Sequence, residues 1–362
     1  MGRTRLPDVG RGVLIYWIMF AVPAAMALIE LADEERRGRF GFAWLFAILG
    51  LIVLIGFRWE TGGDWSNYDR IVEQAMWSPL QLSPLGDPGF AVLTHYAART
   101  SIGLLAVTIA SGIVMGAALT RFCLVQPRPW LCMAVAIPYL VVVLGMGYIR
   151  QGMAISFLML GLVSLQRGGI WRYYAWICVG ALFHSTALAL LPMGALVGDR
   201  TPLMRLLLAL ILLALLSWAI LATHESYVSN YLGAGMDSAG AAIRLFMCAL
   251  PGAIFLAFRG RFALKEAERN VWTALSLAAL LVSPSSTVVD RLGLYLIPLQ
   301  CLVYARMPIA LANDRKGERL LTVAILALYA LSFFVWLNFA DNVDYWLPYH
   351  FVFFQDDLCL AC

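Results

Sequence analysis

The sequence predicts an all-α polytopic integral membrane protein, and composition, run length and charge placement all point that way. Hydrophobic residues make up 62% of the 362 and charged residues only 13%, with a mean hydropathy of +0.79, a balance far from that of soluble domains. A segment crossing lipid must satisfy its own backbone hydrogen bonds and needs about twenty apolar residues; Leu203–Leu221 and Leu320–Ala340 are such runs. The alternating segments of about ten residues that mark a transmembrane β-barrel do not occur.

Apolar runs fall at about 12–31, 40–57, 101–120, 131–148, 151–166, 171–183, 185–198, 202–222, 243–258, 270–283, 290–305 and 320–340. They predict about eleven or twelve transmembrane or half-length helices in one membrane domain over 1–362, without internal repeats. Loops at 33–39, 121–130, 166–172, 198–205, 258–269 and 306–319 carry 17 of the 26 Lys and Arg residues, so the positive-inside rule assigns them to the cytoplasm. Segments 58–100, 223–242, 284–290, the breaks at 148–151 and His184, and the C-terminal tail then fall on the periplasmic side of a bacterial inner membrane. This alternation requires Trp171–Gly198 to be two half-length helices meeting near His184. It also places Arg3, Arg5 and Arg11 outside, against the trend.

The net charge of +4 is spread over short loops, which argues against a nucleic-acid partner. Cys123, Cys132, Cys178, Cys248 and Cys301 lie in or beside apolar segments and read as small buried hydrophobes. Cys359 and Cys362 form a C-x-x-C at the end of the sequence, either a redox pair or part of a frayed tail.

The stretch from Phe57 to Phe90 is polar and lies between long apolar runs. Gly62-Gly63 gives backbone freedom, and Asp64 is placed to cap an amphipathic surface helix over 65–77 with Trp65, Tyr68, Val72 and Met76 on one face. A second surface helix is expected from Asp87-Pro88 towards Arg99, with Asp87 as its cap. Both would roof the outer mouth of the bundle, making 58–100 one wall of a site.

Arg58, Arg150, Arg244 and Arg291 stand at the non-cytoplasmic ends of apolar runs, where the charge rule supplies no reason for arginine. Charge at a membrane boundary needs a partner or a function, and guanidinium suits bidentate contact with phosphate. Four converging arginines would hold a diphosphate; the alternative is snorkelling or structural ion pairing with Asp64, Asp87 or Asp290. His184 is the histidine within an apolar run, able to donate to phosphate or to exchange a proton near neutrality. Asp64, Glu60, Asp87 and Asp290 are the acidic candidates for a general base, although Asp64, Asp87 and Asp290 also read as helix caps. No His/Cys spacing predicts a metal site, and no nucleotide loop or nucleophile triad predicts a cofactor.

Read in order, Arg58-x4-Gly63-Asp64-x3-Tyr68, Asp87-Pro88-Gly89-Phe90, Tyr148-Ile149-Arg150-Gln151-Gly152-x-Ala154, Phe183-His184-Ser185-Thr186-Ala187 and Arg291-x3-Tyr295 resemble the EpsG family of bacterial exopolysaccharide proteins, which are similar to Wzy-type polymerases. The resemblance covers roughly 40–350, and family members commonly carry Glu where this chain has Asp87. It implies a GT-C-like, metal-independent glycosyltransferase acting at the periplasmic face on undecaprenyl-diphosphate-linked oligosaccharides, with a chain-length regulator as a further partner. Carried onto this sequence, and joined to the placement of the charges, it makes Asp64, His184, Arg150 and Arg291 the expected catalytic residues and Arg58, Tyr68, Gln151 and Tyr295 substrate-binding; placement alone adds Arg244 and Asp290 to the binding set. A glycan ligase, a single-sugar transferase and a lipid-oligosaccharide flippase remain the alternatives; the gathering of charge at one face favours an enzyme over a transporter, which needs sites near the midplane.

Overall fold

The computed structural model describes residues 9–32, 41–83, 86–196, 241–281 and 292–354, with a few positions between 203 and 214. Among the described residues, six helices are long and apolar enough to cross a membrane: Gly12–Ala32, Leu104–Leu124, Pro129–Met146, Ile149–Gln166, Leu294–Leu311 and Arg315–Phe339. The protein is an all-α polytopic membrane protein.

In chain order the helices are α1 (Val9–Ala32), α2 (Phe42–Gly56), α3 (Trp65–Trp77), α4 (Pro88–Ala97), α5 (Leu104–Leu124) and α6 (Pro129–Ala136), which continues as a π-helix over Ile137–Met146. Then come α7 (Ile149–Gln166), α8 (Ile170–Phe183), a 3-10 turn over Ser185–Leu190, α9 (Leu191–Ala195), α10 (Ala241–Phe258) and α11 (Glu266–Leu281). After a 3-10 turn at Leu294–Leu296, α12 (Ile297–Leu311) and α13 (Arg315–Phe339) complete the bundle. Each described helix of the bundle follows one of the predicted apolar runs; the run at 202–222 lies largely outside the described residues.

The α6–π span is the axis of the molecule. It is 94% buried inside the protein, against 33% for α1 and α13, which therefore face lipid. It packs on α1, α12 and α13, while α7 lies between α5 and α8. Close helix approach rests on small residues, as is usual in lipid: a Cβ on Gly112 of α5 would meet the Ile52 carbonyl of α2 at 3.0 Å. Cys123, Cys132, Cys248 and Cys301 are buried as expected, whereas Cys178 is exposed on the outer side of α8.

The basic loops that are described gather at one end. Arg128 pairs with Glu318 and donates to the Glu30 carbonyl at 3.2 Å, and Arg306 donates to the Gln126 side chain at 3.1 Å. Glu268 interacts with Gln166 and Arg306 at the same end. At the opposite end the C-terminal segment straps across the bundle. Arg58–Trp59 (β1) pairs antiparallel with His350–Phe351 (β2). Trp346 donates its indole N–H to the Val142 carbonyl at 3.0 Å and accepts from the Tyr16 hydroxyl at 2.6 Å. Because Tyr16 sits at this end and Glu30 at the other, α1 starts on the side of the 57–90 loop, where the alternation placed it.

The half-helix hairpin is present. Backbone at His184 is extended between α8 and the 3-10 turn, and Tyr173 reaches across to the Leu190 carbonyl at 2.6 Å, so the second limb returns alongside the first with His184 at the tip. Helices α3 and α4 lie over the ends of α5 and α8. On α3, Tyr68 and Val72 are buried, but Met76 is half exposed, because the helix's last turn outruns the elements that cover its beginning.

Candidate active site

Asp87 is the centre of the site, and its backbone explains how. Proline at 88 disfavours a helical conformation in the residue before it, and Asp87 adopts the left-handed region at φ 55°, ψ 58°, which Asp tolerates better than most side chains. So turned, its carboxylate does not cap α4. Instead Oδ1 accepts the Ser185 N–H at 2.8 Å, and Oδ2 accepts from Arg150 Nη1 at 3.0 Å and lies 3.4 Å from His184 Nδ1. One carboxylate thus joins the roof helix, the start of α7 and the tip of the α8 hairpin.

Arg150 stands in the first turn of α7, the positive end of a helix, where a cation is disfavoured unless paired. Asp87 supplies the pair. The guanidinium also lies 5.7 Å from the centre of the Phe90 ring, and the backbone N–H of Arg150 donates to the Tyr68 hydroxyl at 3.5 Å. Tyr68 meets Phe90 edge to face at 5.6 Å. The side chain of Arg150 keeps 32% exposure, while those of Asp87 and His184 keep 8% each; Arg150 is therefore the member of this trio that a ligand can reach. Gln151 is buried beside it, and the buried Tyr295 shares a hydrogen bond of 2.9 Å with Thr186, two residues past His184.

Asp64 occupies the N-cap position of α3 without a side-chain cap bond and is half-buried. Its negative charge acts on both Tyr68 and Arg150. Burial, reinforced by Asp64, pushes the Tyr68 hydroxyl up to about 12, so it stays neutral and able to donate. Burial alone would raise the Asp87 carboxyl, but the His184 hydrogen bond and charge, the Ser185 N–H and Arg150 outweigh it and hold Asp87 below the usual carboxylate range.

A carboxylate whose folded pKa lies below its unfolded value of about 3.9 contributes stability above that pH and loses it as pH falls through the folded value. The detergent-solubilised protein should therefore lose melting temperature below about pH 4 in a step that Asp87→Asn removes. Identical acid-side melting profiles for the two proteins would contradict the ionised hub.

Arg58 does not join this cluster. It is fully buried, with Nε donating to the Thr61 carbonyl at 3.0 Å, Nη2 to the Met146 carbonyl at 2.8 Å and Nη1 to the Ile55 carbonyl. Ile55 and Met146 lie at the C-terminal ends of α2 and the π-helix, where unsatisfied carbonyls and the negative helix pole attract a cation. Arg58 thus ties two helix ends together beneath the loop. That loop needs Gly62 at φ +116°, where a Cβ would stand 2.3 Å from the Met146 carbonyl.

Of the other expected residues, Asp290 and Arg291 lie outside the described residues, and Arg244 is placed only as backbone of α10, one helical turn before Met247. Of the four arginines expected to converge, Arg150 is the one placed at the cluster. Among the described residues no three His, Cys, Asp or Glu side chains are grouped as a metal site.

The EpsG family model matches residues 41–351. The chain belongs to the EpsG family. EpsG proteins are Wzy-like polymerases, which makes this chain, in general terms, a membrane polysaccharide polymerase. No curated protein and no solved structure matches it. The EpsG match encloses the whole Asp87 cluster and leaves α1 outside.

Asp87 is the EpsG residue that sequence reasoning undervalued, because an acid before Pro at a helix start reads first as a cap. The usable signal lay in the resemblance, which sets another acid, Glu, against Asp87. A cap for α4 does not require that a carboxylate be kept, since Ser, Thr or Asn caps as well.

Proposed function

We propose that this EpsG protein joins undecaprenyl-diphosphate-linked oligosaccharide repeat units at the periplasmic face of the bacterial inner membrane. The observation that carries this reading is the partly exposed Arg150, held by the buried Asp87 at the meeting of three segments. In the reaction a sugar hydroxyl of one lipid-linked unit attacks the anomeric carbon of another. The bond from that carbon to the diphosphate oxygen breaks, the diphosphate leaves with the electron pair, and the hydroxyl proton passes to a base.

Arg150 meets the diphosphate, whose negative charge grows as the bond breaks and is best stabilised by a fixed cation. Arg291 and Arg244, at same-side ends of their apolar runs, add to this charge. Asp64, half-buried and close enough for its charge to act on Arg150, is the base. Asp87 and His184 are positioning residues for Arg150, and Tyr68, Gln151 and Tyr295 line the site. Arg58, committed to backbone carbonyls, fixes the loop that carries Asp64.

A second assignment of the base has one observation in its favour. If His184 Nδ1 donates to Asp87, its Nε2 is left as an acceptor, the arrangement by which a carboxylate orients a histidine base. The pH profiles of Asp64→Asn and His184→Gln separate the two: the true base is the residue whose loss removes the acid-side limb of kcat/KM.

The test of the reaction is purified protein with synthetic lipid-diphosphate repeat units, read as a ladder of glycans. A ladder lost in the Arg150 variant supports the proposal. A product one unit long indicates a ligase or single-sugar transferase, and lipid movement across a vesicle without bond formation indicates a transporter.

A further inference from the structure

A cavity of about 230 Å³ lies between the π-helix, α10, α12 and α13, apart from the Asp87 cluster. We infer that it seats the polyisoprenoid chain of the second lipid-linked substrate, the one whose sugar hydroxyl attacks. The inference rests on the polymerase reading, which requires two lipid-linked substrates side by side.

The cavity's shape is that of an amphiphile standing on end. Its mouth is polar, formed by Asp341 and Asn342 just past the end of α13, where a carboxylate meets the sugar hydroxyls of a head group rather than its phosphates, and by Tyr148 at the start of α7. Its floor is Tyr329 and Gln300. Tyr329 lies ten residues before Phe339, the last residue of α13, so the floor is about 15 Å below the mouth at 1.5 Å per residue, roughly half the hydrocarbon thickness of a bilayer. The polar groups of the floor are already paired. Tyr329 donates to Gln300 Oε1 at 2.6 Å, and Gln300 Nε2 donates to Cys248 Sγ at 3.1 Å. Buried groups with partners ask for no polar ligand, and aromatic rings, among them Phe333 and Trp336, form the walls. One flank is open to lipid, since the lining residues Val335 and Phe339 are 42% and 73% exposed on a helix that faces the bilayer. An apolar chain can therefore enter sideways, while its head stays at the mouth.

The position of the mouth decides which chain this is. Tyr148 caps α7 and lines the cavity, while Arg150, two residues on, reaches Asp87 and Phe90. Successive positions near a helix start point to different sides. The start of α7 therefore separates the mouth from the arginine, giving two lipid-borne heads seats on its two flanks. A substrate with its diphosphate on Arg150 cannot also thread this cavity without passing round α7, so the cavity belongs to the other partner.

The test uses the full-length protein in nanodiscs with a polyisoprenyl phosphate that carries a benzophenone on its second isoprene unit. Photocrosslinks are expected on the α13 peptide around Ser332 and on the π-helix. Ser332→Trp fills the cavity and should lower that labelling at least fivefold, whereas Leu331→Trp, on the lipid-facing side of the same helix at 61% exposure, should not. In the ladder assay, the preference for a long-chain acceptor over a two-isoprene analogue should fall at least tenfold in Ser332→Trp. Labels spread evenly over lipid-facing helices, or equal labelling by a straight-chain phospholipid probe, would overturn the inference. Protein that is labelled in the cavity yet makes no polymer keeps the chain site and removes the polymerase reading. Protein that polymerises with an unchanged chain-length preference in Ser332→Trp keeps the polymerase and removes the chain site.

Discussion

Arg150→Ala inserts and folds but forms glycan at a rate about 10²–10³-fold below wild type, the loss typical of removing one fixed donor to a developing anion. The variant leaves Asp87 with two of its three partners, His184 and the Ser185 N–H, so the hub survives the loss of the cation. Arg150→Lys keeps the charge but not the planar fork that meets phosphate while paired to Asp87, and recovers only part of the rate. Asp87→Asn keeps a side chain suited to the left-handed turn and an acceptor for Ser185, yet removes the charge that holds Arg150, so it costs roughly tenfold through misplacement of the guanidinium. The measurements are single-turnover rates beside melting curves. A rate loss in Arg150→Ala matched by an equal loss of folded protein would remove the catalytic reading.

Arg58→Ala does the opposite. Three carbonyls lose a charged donor at a fully buried position, and leaving buried acceptors unmade costs about 1–3 kcal/mol each. Even at the low end this is about 3 kcal/mol, or about 4 °C of melting temperature for a chain of this size. The folded fraction should lose less activity than Arg150→Ala does, because Arg58 acts only through the position of the loop that carries Asp64. Full stability with activity abolished would instead return Arg58 to the diphosphate. Two arginines that look alike in sequence, each at the outer end of an apolar run, are thus told apart by which quantity each variant changes.

The helices were legible because their signal is local. Apolar run length gave α1, the α6–π span and α7 nearly to their ends, whereas α5 and α12 end four to six residues past their runs and α13 starts five residues before its run; the count of basic loops required the hairpin at His184 that Tyr173 and Leu190 close. The cluster was half legible. Arg150 and His184 stood out as polar groups in apolar surroundings, Tyr68 and Tyr295 entered through the resemblance, and all four are at or beside the Asp87 hub. What joins them was not legible, since it depends on a single left-handed residue and on partners as many as 98 positions away. Arg58 failed for the same reason. A guanidinium bound to backbone carbonyls has partners with no side-chain identity, so no residue elsewhere in the sequence signals the contact.

The π-helix from Ile137 to Met146 has a consequence for how the gene tolerates change. Its backbone bonds reach five residues back rather than four, so it winds more slowly than the α-helix before it and sets the angular phase at which the span ends. That phase presents the Met146 carbonyl to Arg58 and the Val142 carbonyl to Trp346. Deleting one residue from this stretch would let it relax to α-helical winding and swing both carbonyls away from their donors, although the span would remain as apolar as before. Substitutions by similar apolar residues should pass unnoticed there, while single-codon deletions should not.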